Sequence, residues 1–311
     1  MAAPSTILDR IGNTPMLPLR HILPGNGGRI LLKLESENPT GSMKDRMALA
    51  MVAAAEADGR LPPGGAVVEY TGGSTGVSLA LVCAVKSHPL HIVTSDAFAR
   101  SKLDHMRLLG ARLRVIPSEG GGMTGTLTRD MIEAARIIAS ETGAFWTDQM
   151  RNTDQLAAYH AMAAEMLAQA GGPIAAFVQS VGTAASLRGL AGALRPAGPI
   201  QIVAVEPAES PVLSGGQPGA HKIDGIGAGF VVPLWRPGLA DRIERVSTGE
   251  ARAMAFRLAR EEGLLAGTST GANVAAALRL AADLPRGATI VTIMCDTGIK
   301  YLDSYGAACR E

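Results

Sequence analysis

A lysine near the start of the chain stands where a first helix is expected to begin. The segment NPTGSMKDR covers residues 38–46, and Ser42 with Asp45 has the spacing of a capping box. Lys44 therefore lies in the first helical turn, at the positive end of the helix dipole. That position disfavours a charged ammonium group and suits an amine that must be neutral or bound as an imine. A solvated surface lysine is the alternative that this segment alone leaves open.

Three glycine-rich segments are each predicted to follow a strand and to precede a helix. They are EYTGGSTGVSLA (69–80), QSVGTAASLRG (179–189) and AGTSTGANVAAA (266–277). Small residues let backbone N–H groups approach an anion, and a helix N-terminus favours negative charge. None has the spacing of a Walker loop or of G-x-G-x-x-G, so nucleotide binding is poorly supported. One such segment is typical of an ordinary turn, whereas three together indicate an anion site.

The elements that must position these segments alternate along the chain. Short apolar runs predict buried strands at 66–70, 91–95, 112–117, 175–180, 201–206 and 289–295. Apolar residues at three- and four-residue spacing predict helices over 128–143 and 249–263. This alternation predicts an α/β fold of two lobes with mostly parallel sheets. The stretch 206–240, rich in Gly and Pro, is too long for an ordinary connection and is expected to close over a site.

The composition excludes several functional classes. The 311 residues carry a net charge of +1, which argues against a general role in binding nucleic acid or acidic membranes. No apolar run approaches the roughly 20 residues of a membrane span, and no signal-peptide pattern is present. Cys83, Cys295 and Cys309 are scattered, which favours a reduced, cytoplasmic location. His88 and His91 have no partners at ligand spacing, so we expect no metal and interpret both as surface or strand-edge residues.

Several segments together resemble the fold-type II pyridoxal-phosphate enzymes of the cysteine synthase and cystathionine β-synthase family. The resemblance runs nearly end to end, over IGNTPMLPL (11–19), NPTGSMKDR, TGGSTG (71–76), VGTAAS (181–186), HKIDGIGAGF (221–230), EEGLLAGTSTGA (261–272) and DTGIKYLDS (296–304). It implies a two-lobed fold with twisted, mostly parallel sheets flanked by helices. Residues 1–43 and 153–311 would form a large cofactor-binding domain. Residues 44–152 would form a smaller mobile domain that carries the substrate loop.

The resemblance also implies roles for individual residues. Lys44 would bind pyridoxal 5'-phosphate as an imine and later remove the Cα proton as general base. The neutral hydroxyl of Ser269 would face the pyridine nitrogen, which favours loss of a group from Cβ over transamination. The cofactor phosphate would be held by Gly182, Thr183, Ala184, Ala185 and Ser186. The substrate would be bound by Thr71, Gly72, Gly73, Thr75, Gln149 and the cover-segment residue Gly225. For Gln149, a surface position is the alternative left open.

Two loops depart from the family pattern. The family typically shows Thr-Ser-Gly-Asn-Thr-Gly, whereas this chain has Gly72 in place of the serine and Ser74 in place of the asparagine. Ser74 would reach the cofactor 3'-oxygen with a shorter arm, and Gly72 is expected to widen the pocket. In the phosphate loop, Ala184 and Ala185 replace two glycines, which is tolerable only if neither needs a positive φ.

The activity implied by the resemblance is β-replacement by a cytoplasmic homodimer. An O-activated L-serine, first of all O-acetylserine, would lose its leaving group to give an enzyme-bound aminoacrylate. Sulfide would then add to give L-cysteine, so the partners are small molecules and neither nucleic acid nor membrane. Three alternatives remain: a different nucleophile that makes a non-protein amino acid, a β-elimination of the desulfhydrase or dehydratase kind, and a catalytically silent paralogue that acts as a binding subunit.

Overall fold

The computed structural model describes residues 5–23, 25–119 and 124–308. The strands are β1 (Met16–Pro18), β2 (Arg29–Leu34), β3 (Val67–Tyr70), β4 (Leu90–Ser95), β5 (Arg112–Ile116), β6 (Phe145–Trp146), β7 (Ala176–Ser180), β8 (Gln201–Pro207), β9 (Arg242–Val246) and β10 (Thr289–Met294). The α-helices are α1 (Lys44–Ala57), α2 (Ser74–Lys86), α3 (Arg100–Leu108), α4 (Gly125–Thr142), α5 (Gln155–Gln169), α6 (Ala185–Leu194), α7 (Thr248–Glu262), α8 (Thr268–Ala281) and α9 (Leu302–Ala308). Short 3-10 turns cover Ile7–Arg10, Glu35–Glu37, Arg195–Ala197, Val212–Ser214 and Gly298–Tyr301.

The chain divides into two compact units. The smaller unit consists of Met1–Ile11 with Lys44–Gln155, and the larger unit consists of Gly12–Met43 with Leu156–Glu311. The sequence-based division into a cofactor domain (1–43 and 153–311) and a mobile domain (44–152) assigns functions as well as boundaries, and it stays a prediction.

The smaller unit contains a four-stranded sheet in the order β5-β4-β3-β6, and every pairing in it is parallel. Helix α4 packs its apolar side chains against β3 and β4, in a core that includes Val68, Val93, Leu127 and Met131. Because parallel strands run in one direction, the loops that follow β3 and β4 leave the sheet at the same edge. That edge carries the first glycine-rich segment.

The larger unit contains a six-stranded sheet in the order β1-β2-β10-β7-β8-β9. Only the β1–β2 pairing is antiparallel; the other pairings run parallel. The strands are apolar on both faces, as parallel strands covered by helices usually are, and α8 is buried along nearly its whole length. The loop between β7 and α6 therefore starts from the centre of a rigid sheet.

The predicted α/β class and the six predicted strands are confirmed, as are the helices predicted over 128–143 and 249–263. The stretch 206–240 begins with the last two residues of β8, and the rest of it connects β8 to β9 with one 3-10 turn as its regular structure. One expectation is wrong: the third glycine-rich segment follows helix α7 and not a strand, and Ala266 makes only an isolated bridge to Thr297. The apolar residues before this segment belong to a short connection between two helices.

The histidine interpretation also needs a correction. His88 is buried, with Nδ1 at 2.8 Å from the carbonyl oxygen of Gly65 and Nε2 at 2.9 Å from Oε1 of Glu56. It is a hydrogen-bonded interior residue and not a surface residue. Over the described ranges, no group of three or more His, Cys, Asp or Glu side chains could hold a metal ion.

In the described part of the chain, every helix is too short or too polar to cross a membrane. Cys83 and Cys295 are buried thiols that form no disulfide, and Cys309 lies outside the described residues.

Candidate active site

The segment that leads to Lys44 is held in a tight turn. Gly41 has a φ of +75°, and a Cβ there would lie 2.7 Å from Cγ2 of Thr297, so only glycine fits. Two backbone hydrogen bonds fix the turn: Thr297 N–H donates to the carbonyl of Gly41 (3.0 Å), and Met43 N–H donates to the carbonyl of Cys295 (2.9 Å). The backbone immediately before Lys44 therefore has a defined path.

Helix α1 begins at Lys44, as the sequence predicted, and the Lys44 side chain is half-buried. The next residue, Asp45, is fully buried and accepts a hydrogen bond from Oγ of Ser78 at 2.5 Å. Because Ser78 lies on α2, this bond joins the first turn of α1 to the helix that follows the predicted substrate loop.

A second buried lysine has a different environment. The Nζ atom of Lys33 lies 2.6 Å from Oε2 of Glu165 and donates to Oε1 of Gln169 (2.9 Å) and to the carbonyl of Thr14 (2.5 Å). Three acceptors use the three protons of an ammonium group. Lys33 is thus held as a structural cation of the larger unit, and Lys44 remains the candidate for covalent chemistry.

The predicted substrate loop connects β3 to α2. Thr71 N–H donates to the carbonyl of Val93 (2.9 Å), and the Thr71 hydroxyl accepts from the N–H of Gly73 (3.2 Å). Gly73 is the N-cap of α2, and a Cβ on it would meet nothing within 4 Å. The helix then begins with Ser74 and Thr75. Open space at a helix N-terminus beside hydroxyl groups favours a bound anion such as a carboxylate.

Gln149 is brought to this loop. Its Oε1 accepts a hydrogen bond from the Thr75 hydroxyl at 2.8 Å, and its Nε2 lies 3.4 Å from the carbonyl oxygen of Tyr70. Gln149 is 8% exposed, so the alternative of a surface glutamine is wrong. Its role toward a substrate stays a prediction, but its position beside Thr75 agrees with that role.

A buried carboxylate lies under the same loop. Glu69 on β3 accepts hydrogen bonds from the Thr147 hydroxyl (2.6 Å) and from the N–H groups of Gln149 (2.9 Å) and Tyr70 (2.9 Å). Burial raises the pKa of Glu69 to about 7, against the opposing effect of these hydrogen bonds. Sequence reasoning missed Glu69, although a glutamate inside the apolar run AVVEY was a signal.

Gly72 is covered by the aromatic ring of Phe98. A Cβ at Gly72 would overlap ring atoms of Phe98, and Gly72 is not among the residues with a positive φ. The neighbouring ring, and not the backbone conformation, therefore requires glycine here. The expectation that Gly72 widens the pocket is wrong, because Phe98 fills the space that a side chain would occupy. Sequence reasoning missed Phe98, and no pattern in the sequence marks it.

The predicted phosphate loop connects β7 to α6. The residues run Gly182, Thr183, Ala184, then Ala185 and Ser186 in the first turn of the helix. The Thr183 hydroxyl accepts from the N–H of Ala185 at 3.4 Å. The loop therefore brings backbone N–H groups and two hydroxyls to the N-terminus of a ten-residue helix.

Gly225 lies against this loop. A Cβ on Gly182 would overlap the carbonyl oxygen of Gly225, and the N–H of Gly227 donates to the carbonyl of Val181 at 3.0 Å. The segment 221–230, which the sequence predicted to cover a site, thus contacts the phosphate loop directly within the larger unit.

One of the residues that depart from the family pattern has a strained backbone conformation. Ala184 has a φ of +66° and is 2% exposed, whereas Ala185 is helical. A left-handed conformation costs an L residue about 1–2 kcal/mol. The condition that neither alanine needs a positive φ holds for Ala185 and fails for Ala184. A left-handed residue next to a helical one is the backbone geometry in which successive N–H groups can form a concave anion site.

Ser269 is the second residue of α8 and is buried. Asn273 lies one turn later on the same helix face, and its Oδ1 accepts from the N–H of Ser180 at 2.7 Å. Ser180 is the last residue of β7, so Ser269 lies on the face of α8 that packs against the strand leading to the phosphate loop.

These residues fit pyridoxal phosphate. Gly182 has no side chain where it lies against the carbonyl oxygen of Gly225, and residues 182 to 186 offer backbone N–H groups, two hydroxyls and only small side chains. The buried Ser180 hydroxyl at the base of the loop has no hydrogen-bond partner among the described residues. The Ser269 hydroxyl is uncharged, which suits an unprotonated pyridine nitrogen.

Comparison with known proteins decides the family. The model of the family described as "Pyridoxal-phosphate dependent enzyme" matches residues 7–296. The chain belongs to this family. The enzyme is 38% identical to a cysteine synthase of Staphylococcus aureus over 301 residues, which is 96% of this chain and 95% of that relative.

Solved structures agree with this placement. The enzyme superposes on O-ureido-L-serine synthase with a TM-score of 0.91 at 34% identity, covering 97% of this chain and 94% of the other. It superposes on cysteine synthase from Entamoeba histolytica with a TM-score of 0.89 at 34% identity, covering 98% and 92%. The predicted fold-type II architecture, family and cofactor are confirmed; the roles of the single site residues stay predictions.

Proposed function

We propose that the enzyme catalyses β-replacement on an O-activated L-serine, with O-acetyl-L-serine as donor and sulfide as nucleophile, to give L-cysteine. The observation that carries this proposal is the loop from Thr71 to Thr75 with Gln149 hydrogen-bonded to Thr75, in a chain 38% identical to a cysteine synthase. The loop offers an α-carboxylate several donors at a helix N-terminus.

Each residue has a defined task in this reaction. Pyridoxal phosphate, when bound, supplies a ring that withdraws electrons from the substrate Cα. Gly182 through Ser186 hold the phosphate group, and Ser269 offers a neutral partner to the ring nitrogen. Ser74 donates toward the 3'-oxygen. Lys44 binds the cofactor in the resting enzyme, and its Nζ then takes the proton from Cα.

The direct test is product formation. Wild-type holoenzyme with O-acetyl-L-serine and sulfide should release L-cysteine, detected by a thiol-specific amino-acid assay. Lys44→Ala should lose this activity by at least 1,000-fold, since it removes the base and the cofactor bond. Lys86→Ala is the matched control, because Lys86 ends α2 at the side opposite the substrate loop and pairs with Glu56. A wild-type enzyme that binds the cofactor but makes no product would contradict the proposal and favour a catalytically silent paralogue.

A second candidate differs only in the nucleophile. The superposition on O-ureido-L-serine synthase favours it, and so do Gly72 and Ser74, which depart from the family's loop. Hydroxyurea is the nucleophile whose oxygen would give O-ureido-L-serine. Equal concentrations of sulfide and hydroxyurea should be offered together, and the two products measured by mass spectrometry. An excess of cysteine supports the first proposal, whereas an excess of O-ureido-L-serine supports the second. Pyruvate formed without either nucleophile would instead indicate β-elimination.

We also propose that the enzyme is a cytoplasmic homodimer. Exposed apolar side chains occur close together in the larger unit, at Leu265, Ile299 and Leu302, where Gly298 N–H donates to the carbonyl of Leu265 at 2.8 Å. The thiols of Cys83 and Cys295, which form no disulfide, suit a reducing compartment. Sedimentation equilibrium should give twice the chain mass, and Ile299→Lys should shift the equilibrium to the monomer. A monomeric wild type would contradict the dimer.

A further inference from the structure

The contact between Phe98 and Gly72 has consequences for substrate choice. Phe98 follows β4, and Gly72 follows β3, so the two residues leave neighbouring parallel strands at one edge of the sheet. Ligands bind at this edge in open α/β sheets. The ring covers Gly72 closely enough to exclude a Cβ there, whereas the next glycine, Gly73, faces open space. One side of the loop is therefore closed by an aromatic ring and the other is open.

The ring of Phe98 packs against the core of its unit but remains partly exposed. Phe98 packs against the core of the smaller unit that contains Tyr70 and Val93, and its own N–H donates to the carbonyl of Ser95 at 3.3 Å. The side chain remains half-buried, so part of the ring is exposed beside the loop. A ring held at its base with an exposed edge can limit the size of whatever the loop binds.

We propose that Phe98 determines substrate specificity by forming an apolar wall beside Gly72, which limits the size of the substrate's β-substituent. This inference rests on one part of the proposed function, the assignment of the loop from Thr71 to Thr75 as the substrate loop. It assigns Phe98 no part in the bond-breaking steps. In an apolar pocket, one extra or missing methylene of the substrate typically changes discrimination by about 10–200-fold.

The first test measures binding without turnover. Unreactive L-amino acids of increasing length, from L-2-aminobutyrate to L-norleucine, are titrated into holoenzyme, and Kd is read from the visible absorbance of the cofactor. In the wild type, Kd should rise with side-chain length. In Phe98→Ala, the ratio of the Kd for L-norleucine to that for L-2-aminobutyrate should fall at least tenfold, and Phe98→Leu should show a smaller fall in the same direction.

Phe145→Ala is the matched control. Phe145 is a half-buried phenylalanine of the same unit, but it pairs with Val67 at the amino end of β3, away from the loop. It should keep the wild-type ratio. An unchanged ratio in Phe98→Ala, or an equal change in Phe145→Ala, would overturn the inference.

Turnover separates this inference from the proposed function. In Phe98→Ala, kcat/KM for O-succinyl-L-serine relative to O-acetyl-L-serine should rise at least tenfold. If the wild type makes cysteine but this ratio does not change, the inference alone fails. If the wild type discriminates the amino acids by size yet turns over no donor, the proposed function fails while the inference stands.

The contact itself can be tested by stability. Gly72→Ala should lower the urea midpoint of unfolding, because its methyl group would overlap the ring. In the Phe98→Ala background, the same change at Gly72 should lower the midpoint by less than half as much. Equal losses in both backgrounds would show that the ring does not lie on Gly72 and would overturn the inference.

Discussion

The substrate loop (71–76) and the phosphate loop (181–186) are built alike but are fixed by different neighbours. Each follows a parallel strand and begins a helix, and each contains a glycine with no room for a Cβ. At Gly72 the obstacle is the side chain of Phe98, whereas at Gly182 it is the backbone carbonyl of Gly225. A side chain can rotate, but a backbone carbonyl moves only with its whole segment. The comparison indicates that the substrate loop can adapt and that the phosphate loop is rigid.

The largest expected effect comes from Gly182→Ala. Because the added methyl group would overlap a backbone oxygen, we expect a loss of about 3 kcal/mol in the free energy of unfolding, the upper end for overpacking. The affinity for pyridoxal phosphate should fall in parallel. Urea unfolding and a cofactor titration measure both quantities.

Gly192→Ala is the control for that change. Gly192 lies in α6, and a Cβ there would meet only Nε2 of His160 at 3.9 Å, so the substitution should stabilise the helix by about 1 kcal/mol. If Gly182→Ala were as harmless as Gly192→Ala, or less harmful than Gly72→Ala, the rigid-loop interpretation would fail.

The next effect concerns pH and belongs to the substrate loop. Burial raises the pKa of Glu69 to about 7 from its ordinary value of 4.5, so the folded state binds the proton more tightly than the unfolded state. The stabilisation is fully present below pH 4.5 and is lost as the pH rises through about 7. This shift corresponds to roughly 3 kcal/mol between the two protonation states.

Glu69→Gln should remove this dependence. As the pH rises from 4.5 to 7, the unfolding free energy of the wild type should fall relative to that of Glu69→Gln. The phosphate loop instead adjoins the neutral amide of Asn273, so Asn273→Ser should leave the pH profile parallel to that of the wild type. Parallel profiles for Glu69→Gln would contradict the titration of Glu69.

A pair of matched substitutions should separate the two loops by function. Thr75→Val removes the hydroxyl that donates to Gln149, and we expect kcat/KM to fall roughly tenfold with cofactor affinity unchanged. Thr183→Val removes a hydroxyl from the phosphate loop, and a hydrogen bond to a charged group is worth about 1.5–3 kcal/mol. Its cofactor Kd should therefore rise at least tenfold. If both variants lost cofactor affinity equally, the two loops would not differ in function.

The smallest effect is expected at Ala184. Ala184→Gly removes the strain that a Cβ causes at a positive φ but gives up a buried methyl group worth about 0.8 kcal/mol, so the unfolding free energy should change by less than about 0.5 kcal/mol. Ala185→Gly has no strain to relieve and should cost about 1–2 kcal/mol. Equal losses at both positions would mean that Ala184 is not strained in solution.

The sequence predicted the strands that are marked by a local run of apolar residues. The runs that became β3, β7 and β10 are short and mostly apolar, and their burial followed from composition. Strands β2 and β9 were missed because charged residues interrupt their pattern. Lys33 can be buried in β2 because acceptors distant in the sequence, Glu165 and Gln169 among them, bind its ammonium group.

The candidate site shows the same difference between features with a local sequence pattern and contacts between distant residues. The start of α1 at Lys44 and the strand–loop–helix positions of the first two glycine-rich segments could be predicted, because a capped helix start and small residues at fixed spacing are local patterns. The role of Lys44 stays a prediction. Phe98 could not, because its contact with Gly72 joins two loops through the pairing of β3 with β4. The strain at Ala184 was equally invisible, since a left-handed alanine has no sequence pattern of its own.

The central claim is that Lys44 holds the cofactor. Borohydride reduction of the holoenzyme, followed by peptide mapping, tests it most directly, because reduction fixes the cofactor to the lysine that carries it. The account predicts the label on the peptide containing Lys44 and its loss in Lys44→Ala. A label on Lys33, or on any other lysine, would contradict it.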